Sequence, residues 1–171
     1  MKKFFAVICM MLMSTAMFAQ AGRIGAGINL GYGLSSDYKT FGAGAKFQYE
    51  FVENVRAELA GNYWFPKDDN AVLDFDLNFQ YLIGIADGWN VYPVAGLSLI
   101  DMMITGDAKD ALKAFGADTN KMLIGFNVGV GTEYYLTSNL KANLDIKYQY
   151  GKKDGWKLDW IPIQLGLVYS F

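Results

Sequence analysis

The chain has no histidine, one cysteine and three prolines among 171 residues, and no apolar run long enough to cross a membrane as a helix. The missing histidine removes the side chain that most often moves protons near neutral pH, although carboxylates could still do acid and base work. A single thiol, Cys9, excludes an intrachain disulfide. With proline and serine scattered, no linker divides the chain, which reads as one domain. Fifteen basic against seventeen acidic residues give a net charge of -2, without the basic footprint of a nucleic-acid binder.

What is present begins with a leader. Met1, Lys2 and Lys3 are followed by an apolar stretch over 4–13 and small residues up to Ala21, the arrangement of a secretory signal peptide. Ala19-Gln20-Ala21 predicts cleavage after Ala21, with Ala19 as the competing position. Cys9 is a poor lipoprotein anchor, since bulky Ile8 precedes it and the apolar core continues beyond it. The expected organisation is therefore a signal peptide over 1–21 and a single domain over 22–171. Losing Lys2 and Lys3 with the leader leaves 13 basic and 17 acidic residues, a net charge of -4.

Beyond the leader the dominant signal is alternation with period two. Residues 23–33 set Ile24, Ile28, Leu30 and Tyr32 against Gly25, Gly27, Asn29 and Gly31; residues 40–51 set Phe41, Phe47 and Phe51 against Gly44, Lys46, Gln48 and Glu50. The same rhythm runs through 55–65, 73–81, 122–135, 140–150 and 160–171. Residues 91–100 form a further strand whose facing stays open, because both registers are apolar or small; Pro93 suits its entry. Val52-Glu53-Asn54 and Ala86-Asp87-Gly88 are turn signals. Residues 101–121 form a long connection with a short helix over 108–115 closed by Gly116, and residues 151–159 lead into the closing strand. Eight strands return the end of the chain to the side where it began. The longer polar connections fall after odd strands and the tight turns after even ones, as in outer-membrane barrels.

Alternation does not say which face is outside. Eight strands enclose room only for their own side chains. The apolar faces carry too many Phe, Tyr, Leu and Ile for that interior, while the opposite faces are rich in Gly. The apolar face is thus expected to meet lipid. The other face collects Lys46, Glu50, Arg56, Glu58, Asp74, Asp76, Glu133, Lys141, Asp145 and Lys147, a polar network that plugs the lumen and leaves small water pockets rather than a channel. If Phe51 faces Val55 across their turn, Glu50 falls opposite Arg56; if Tyr134 faces Leu140, Glu133 meets Lys141. Tyr32, Phe41, Tyr49, Phe51, Tyr63, Phe65, Tyr81, Tyr134, Tyr148, Tyr150, Tyr169 and Phe171 lie toward strand ends, as two aromatic girdles require.

The leader, the strand rhythm and the closing strand ending in Phe171 make the chain resemble the small eight-stranded outer-membrane β-barrel family typified by outer-membrane protein X and the barrel half of outer-membrane protein A. That resemblance implies an all-β, antiparallel up-and-down barrel in the Gram-negative outer membrane. It implies lipids and lipopolysaccharide as neighbours and Phe171 as the signal read by the barrel-assembly machinery. No peptidoglycan-binding domain is expected after Phe171, so the tethering role of outer-membrane protein A is not implied. The barrel enzymes of related families use a histidine, so this His-free chain is expected to be no enzyme and to carry no cofactor and no metal.

Three local patterns have plainer explanations. Asp74-Phe75-Asp76-Leu77-Asn78 imitates the start of a calcium loop, but Phe79 and Ile85 occupy the Gly and Glu positions, so a lumen-facing strand fits better. Gly25-Ala26-Gly27 and Gly129-Val130-Gly131 lack the spacing of phosphate loops. Asp68, Asp69, Asp107 and Asp110 read as solvated loop charges, with divalent cations near lipopolysaccharide as the alternative. The leading expectation is a monomeric structural or surface-interaction barrel whose loops take an extracellular ligand. A small pore or solute-binding barrel, and a soluble periplasmic lipocalin-like carrier, are the alternatives.

Overall fold

The structure is a computed structural model that describes residues 22–35, 39–52, 54–106, 120–153 and 155–171. The expected leader, the helix over 108–115, Asp107 and Asp110 lie outside those residues. The described elements are strands β1 (Ile24–Leu34), β2 (Lys39–Val52), β3 (Val55–Lys67), β4 (Asn70–Tyr81), β5 (Ile83–Ala86), β6 (Trp89–Ile104), β7 (Asn120–Tyr135), β8 (Leu140–Lys153) and β9 (Trp156–Ser170). Every pairing is antiparallel. The β1–β9 and β4–β6 pairings close the sheet on itself, which leaves no free edge along the wall.

The short β5 is the continuation of β4 rather than a ninth wall. Gln80 pairs with Val94 and Ile83 with Val91, so the ladder breaks where Tyr81 and Leu82 pass Pro93. Proline has no N–H to donate there, and the Leu82 N–H turns instead to the Asn54 carbonyl at 2.7 Å. Pro93 therefore lies within β6, where the ladder to β4 and β5 is interrupted, and not at its entry.

Strand limits differ from the sequence expectation at the loop end. β6 runs on to Ile104, and β8 and β9 extend over most of 151–159. Pro66 and Lys67 belong to β3, and the β3–β4 connection shrinks to Asp68 and Asp69, whose φ values of 50° and 60° suit a tight mirror-image hairpin turn. Between the described strands, only the connection over 105–119 is long. Hairpins that keep pairing past the apolar band replace what the polarity of these segments suggested were loops.

The apolar positions point outward: Ile28, Leu59, Phe75, Leu97, Ile124, Leu144 and Leu165 are all exposed, while Lys46, Glu58, Asp76, Glu133 and Lys147 are buried. A soluble carrier needs the reverse arrangement, so that expectation is overturned. In β6 the open facing is settled: Tyr92, Val94, Ser98 and Ile100 point in, and Ala95, Leu97 and Leu99 point out. Ring pairs gather at both borders. Tyr32–Phe41 and Tyr63–Phe65 sit toward the loop end at 4.8 and 5.9 Å, and Trp89–Tyr134 and Tyr169–Phe171 toward the terminal end at 5.7 and 5.2 Å.

Candidate functional site

The lumen holds the chemistry, and it is built in layers. Nearest the terminal end, Arg56 of β3 donates through Nη1 to Glu133 Oε2 at 2.7 Å and through Nε to Gln80 Oε1 at 2.6 Å. Lys141 of β8 reaches the same Glu133 oxygen at 3.1 Å, and Asn90 donates to its other oxygen at 3.1 Å. Arg56 also lies over the Tyr92 ring, 5.0 Å from its centroid. Two cations sharing one carboxylate need further negative charge. Glu50 supplies it, 3.8 Å from Arg56 and 4.0 Å from Lys141, with its side chain partly exposed to a cavity of about 540 Å³ at the terminal mouth. Arg23, Asn54, Asn90 and Tyr135 also line that cavity.

In the middle layer Lys46 Nζ lies 2.8 Å from Asp145 and 3.5 Å from Glu58. Asp145 also accepts from Tyr92 Oη at 2.7 Å and Asn143 at 2.6 Å, while Gln48 and Asn78 donate to Glu58. Lys147 Nζ meets Asp76 at 2.6 Å, and Ser98 and Gln149 donate to the other Asp76 oxygen. Buried charges are tolerated when they are paired and their remaining lone pairs filled, as here.

Above this the chemistry changes. Trp64 and Trp160 pack edge to face with ring centroids 4.6 Å apart, and Val72, Ile100, Leu123 and Leu158 complete an apolar cluster across the loop end of the lumen. Each indole keeps its N–H paired: Trp64 with Asp74 Oδ2 and Trp160 with Gln149 Oε1, both at 2.6 Å. Neighbouring glycines make the seat. A Cβ on Gly42 would collide with the Trp64 ring, and one on Gly33 with the Trp160 ring.

All ten polar residues singled out from the sequence are thus lumenal, but their partners are not always the expected ones. Glu50 does face Arg56 in register, yet Val55 pairs with Val52 past a bulge, and the tight partner of Arg56 is Glu133 from across the barrel. Glu133 faces Asn143, and Lys141 faces Tyr135, so the Glu133–Lys141 pair is diagonal rather than direct. Asp74 has no cation within 4.0 Å among the described residues and is held by the neutral donors of Asn62 and Trp64. Asp74, Asp76 and Asn78 lie on one continuous strand and point inward, which is not a loop around an ion. Among the described residues no three acidic or sulfur side chains gather as metal ligands.

Two components were not anticipated: the apolar cluster and the amide lattice of Asn29, Asn62 and Gln164, in which Asn62 Oδ1 accepts from the other two at 2.9 Å. The amides carried no signal beyond inward parity. The cluster did carry one, since Val72-Leu73 and Leu123-Ile124 place apolar residues on both faces just where the alternation should have returned to polar.

Set against known proteins, residues 5–171 match the family model described as outer membrane protein beta-barrel domain. No curated protein matches. Neisserial surface protein A superposes with a TM-score of 0.67 at 19% identity, over 88% of this chain and 97% of that one. The N-terminal β-barrel domain of Pseudomonas aeruginosa OprF gives 0.65 at 20%, over 88% and 99%. Ail, the attachment invasion locus protein of Yersinia pestis, solved with the heparin analogue sucrose octasulfate, gives 0.56 at 17%, over 88% and 99%. At such identities the likeness is one of fold.

Proposed function

The chain belongs to the outer membrane protein β-barrel domain family, and from that premise we propose that it is a non-enzymatic surface-interaction barrel whose specificity lies in its loop-end connections. It is an outer-membrane protein. In such barrels the tight turns and the chain ends face the periplasm, which puts the 105–119 connection and the apolar cluster on the cell exterior. The observation that carries the proposal is the filled lumen: its carboxylates are occupied by cations and amides, and the indole cluster separates them from the exterior. What remains for a partner outside the cell is the loop-end surface.

Ail supplies a probe, since its structure was solved with a heparin analogue. Cells displaying the intact chain are expected to adhere to an immobilised sulfated polysaccharide, and to lose that adhesion when residues 107–119 are replaced by a short Gly–Ser link. Heat-dependent mobility on a detergent gel reports that the variant barrel still folds. Equal adhesion by cells without the protein overturns the proposal.

The terminal-end cavity favours a second reading, a small pore or solute-binding barrel, whose signature is ion current through the unmodified protein. Residues 1–21 act as the export signal, which amino-terminal sequencing of the purified protein checks. Phe171 serves as the assembly signal: it is exposed, and its N–H donates to the Ile24 carbonyl at 2.8 Å at the β1–β9 seam. The barrel works as a monomer, without cofactor.

A further inference from the structure

Lys152 and Lys157 are direct register partners on β8 and β9, and both are exposed. Like charges at directly facing positions repel, so the arrangement costs stability unless an anion lies between them. Lys157 has one weak partner, Asp159 at 3.8 Å, and Lys152 makes no ion pair among the described residues.

Their height is informative. Ten residues below them, Ala142 and Leu167 are also register partners, at the level where Tyr134 pairs with Ala142 in the terminal-end girdle. Ten residues at ~3.3 Å each, tilted by ~40°, rise about 25 Å, the height of the apolar band of such barrels. Between the two levels the outward residues include Leu144, Ile146, Tyr148, Ile161 and Leu165, with the exposed Asp159 just below Lys157. The lysine pair therefore stands at the upper border of the lipid-facing wall, with Ile124 beside Lys152 on β7. The opposite flank presents the exposed Asp68 and Asp69 instead.

We propose that Lys152 and Lys157 together seat the phosphate group of an outer-leaflet lipid. Their stems lie along apolar wall while the ammonium groups reach the headgroup level. Phosphate oxygens between the two convert repulsion into charge-assisted hydrogen bonds. This rests on the membrane orientation given above and not on what the loops bind.

The test is lipid retention by the purified full-length barrel, read by native mass spectrometry with diphosphorylated lipid A and its dephosphorylated form as probes. The unmodified protein is expected to retain the phosphorylated form about tenfold better, and Lys152→Gln with Lys157→Gln to abolish that preference. Lys67→Gln, a single lysine at the same border, leaves it unchanged. Heat-dependent mobility verifies that each variant is folded. Retention indifferent to phosphate, or a double variant that keeps the preference, overturns the site. So does a double variant that loses only adhesion to sulfated polysaccharide, which would assign the pair to a soluble polyanion. Replacing residues 107–119 should leave lipid retention intact, which separates this proposal from the loop-binding one.

Discussion

At the loop end the lumen is closed by two indoles packed edge to face at 4.6 Å, whereas at the terminal end Arg56 and Lys141 converge on Glu133 beside a cavity of about 540 Å³. Both halves fill the same narrow cylinder. The exterior half does it with apolar volume and two anchored N–H groups, the periplasmic half with charges that must find one another across the barrel. The first excludes water by shape; the second holds charges whose removal strands a neighbour.

The sharpest way to probe that contrast is to remove one charge. Arg56→Ala leaves Gln80 and Glu133 without their shared donor, and the loss of one member of a buried pair should cost about 3 to 5 kcal/mol in reversible unfolding from lipid vesicles. Arg56→Ala together with Glu133→Gln should recover part of it; no recovery would mean the pair is not the source of the cost. Trp160→Ala in the other half should cost about 3 kcal/mol through the space it leaves among Trp64, Ile100 and Leu158, with no partner substitution able to restore it except a bulky apolar one.

The wall itself gives a third comparison. Leu144→Arg, on the lipid face, should cost ~2 to 4 kcal/mol if the site lies near mid-membrane and should slow assembly in the same assay. Its lumenal neighbour is expected to be far more tolerant. Asn143→Ser removes one hydrogen bond to Asp145, which keeps Lys46 and Tyr92, and should cost about 1 kcal/mol. The opposite ranking would mean that the faces are inverted.

Much of this was legible because period two states facing residue by residue once barrel size has decided which face is outside. All ten charged lumen residues fall inward for that reason alone. Pairing across the lumen was not legible: Arg56 meets Glu133 from 77 positions away because closure brings β3 and β7 face to face, a relation absent from local order. The short loops were misread because hairpins such as Pro66-Lys67-Asp68-Asp69-Asn70 are as polar as loops when they pair above the membrane. The apolar cluster was hidden by the rule that an inward residue should be polar, which holds in the middle of this lumen and fails at its loop end.

Ion current across a planar bilayer tests the filled lumen most directly. The unmodified barrel should give no reproducible openings, and the Trp64→Ala, Trp160→Ala double variant should also stay closed, because the ion-paired layers around Asp76, Asp145 and Glu133 still fill the lumen. Openings in the unmodified protein that change when Lys147 or Glu58 is neutralised would contradict it.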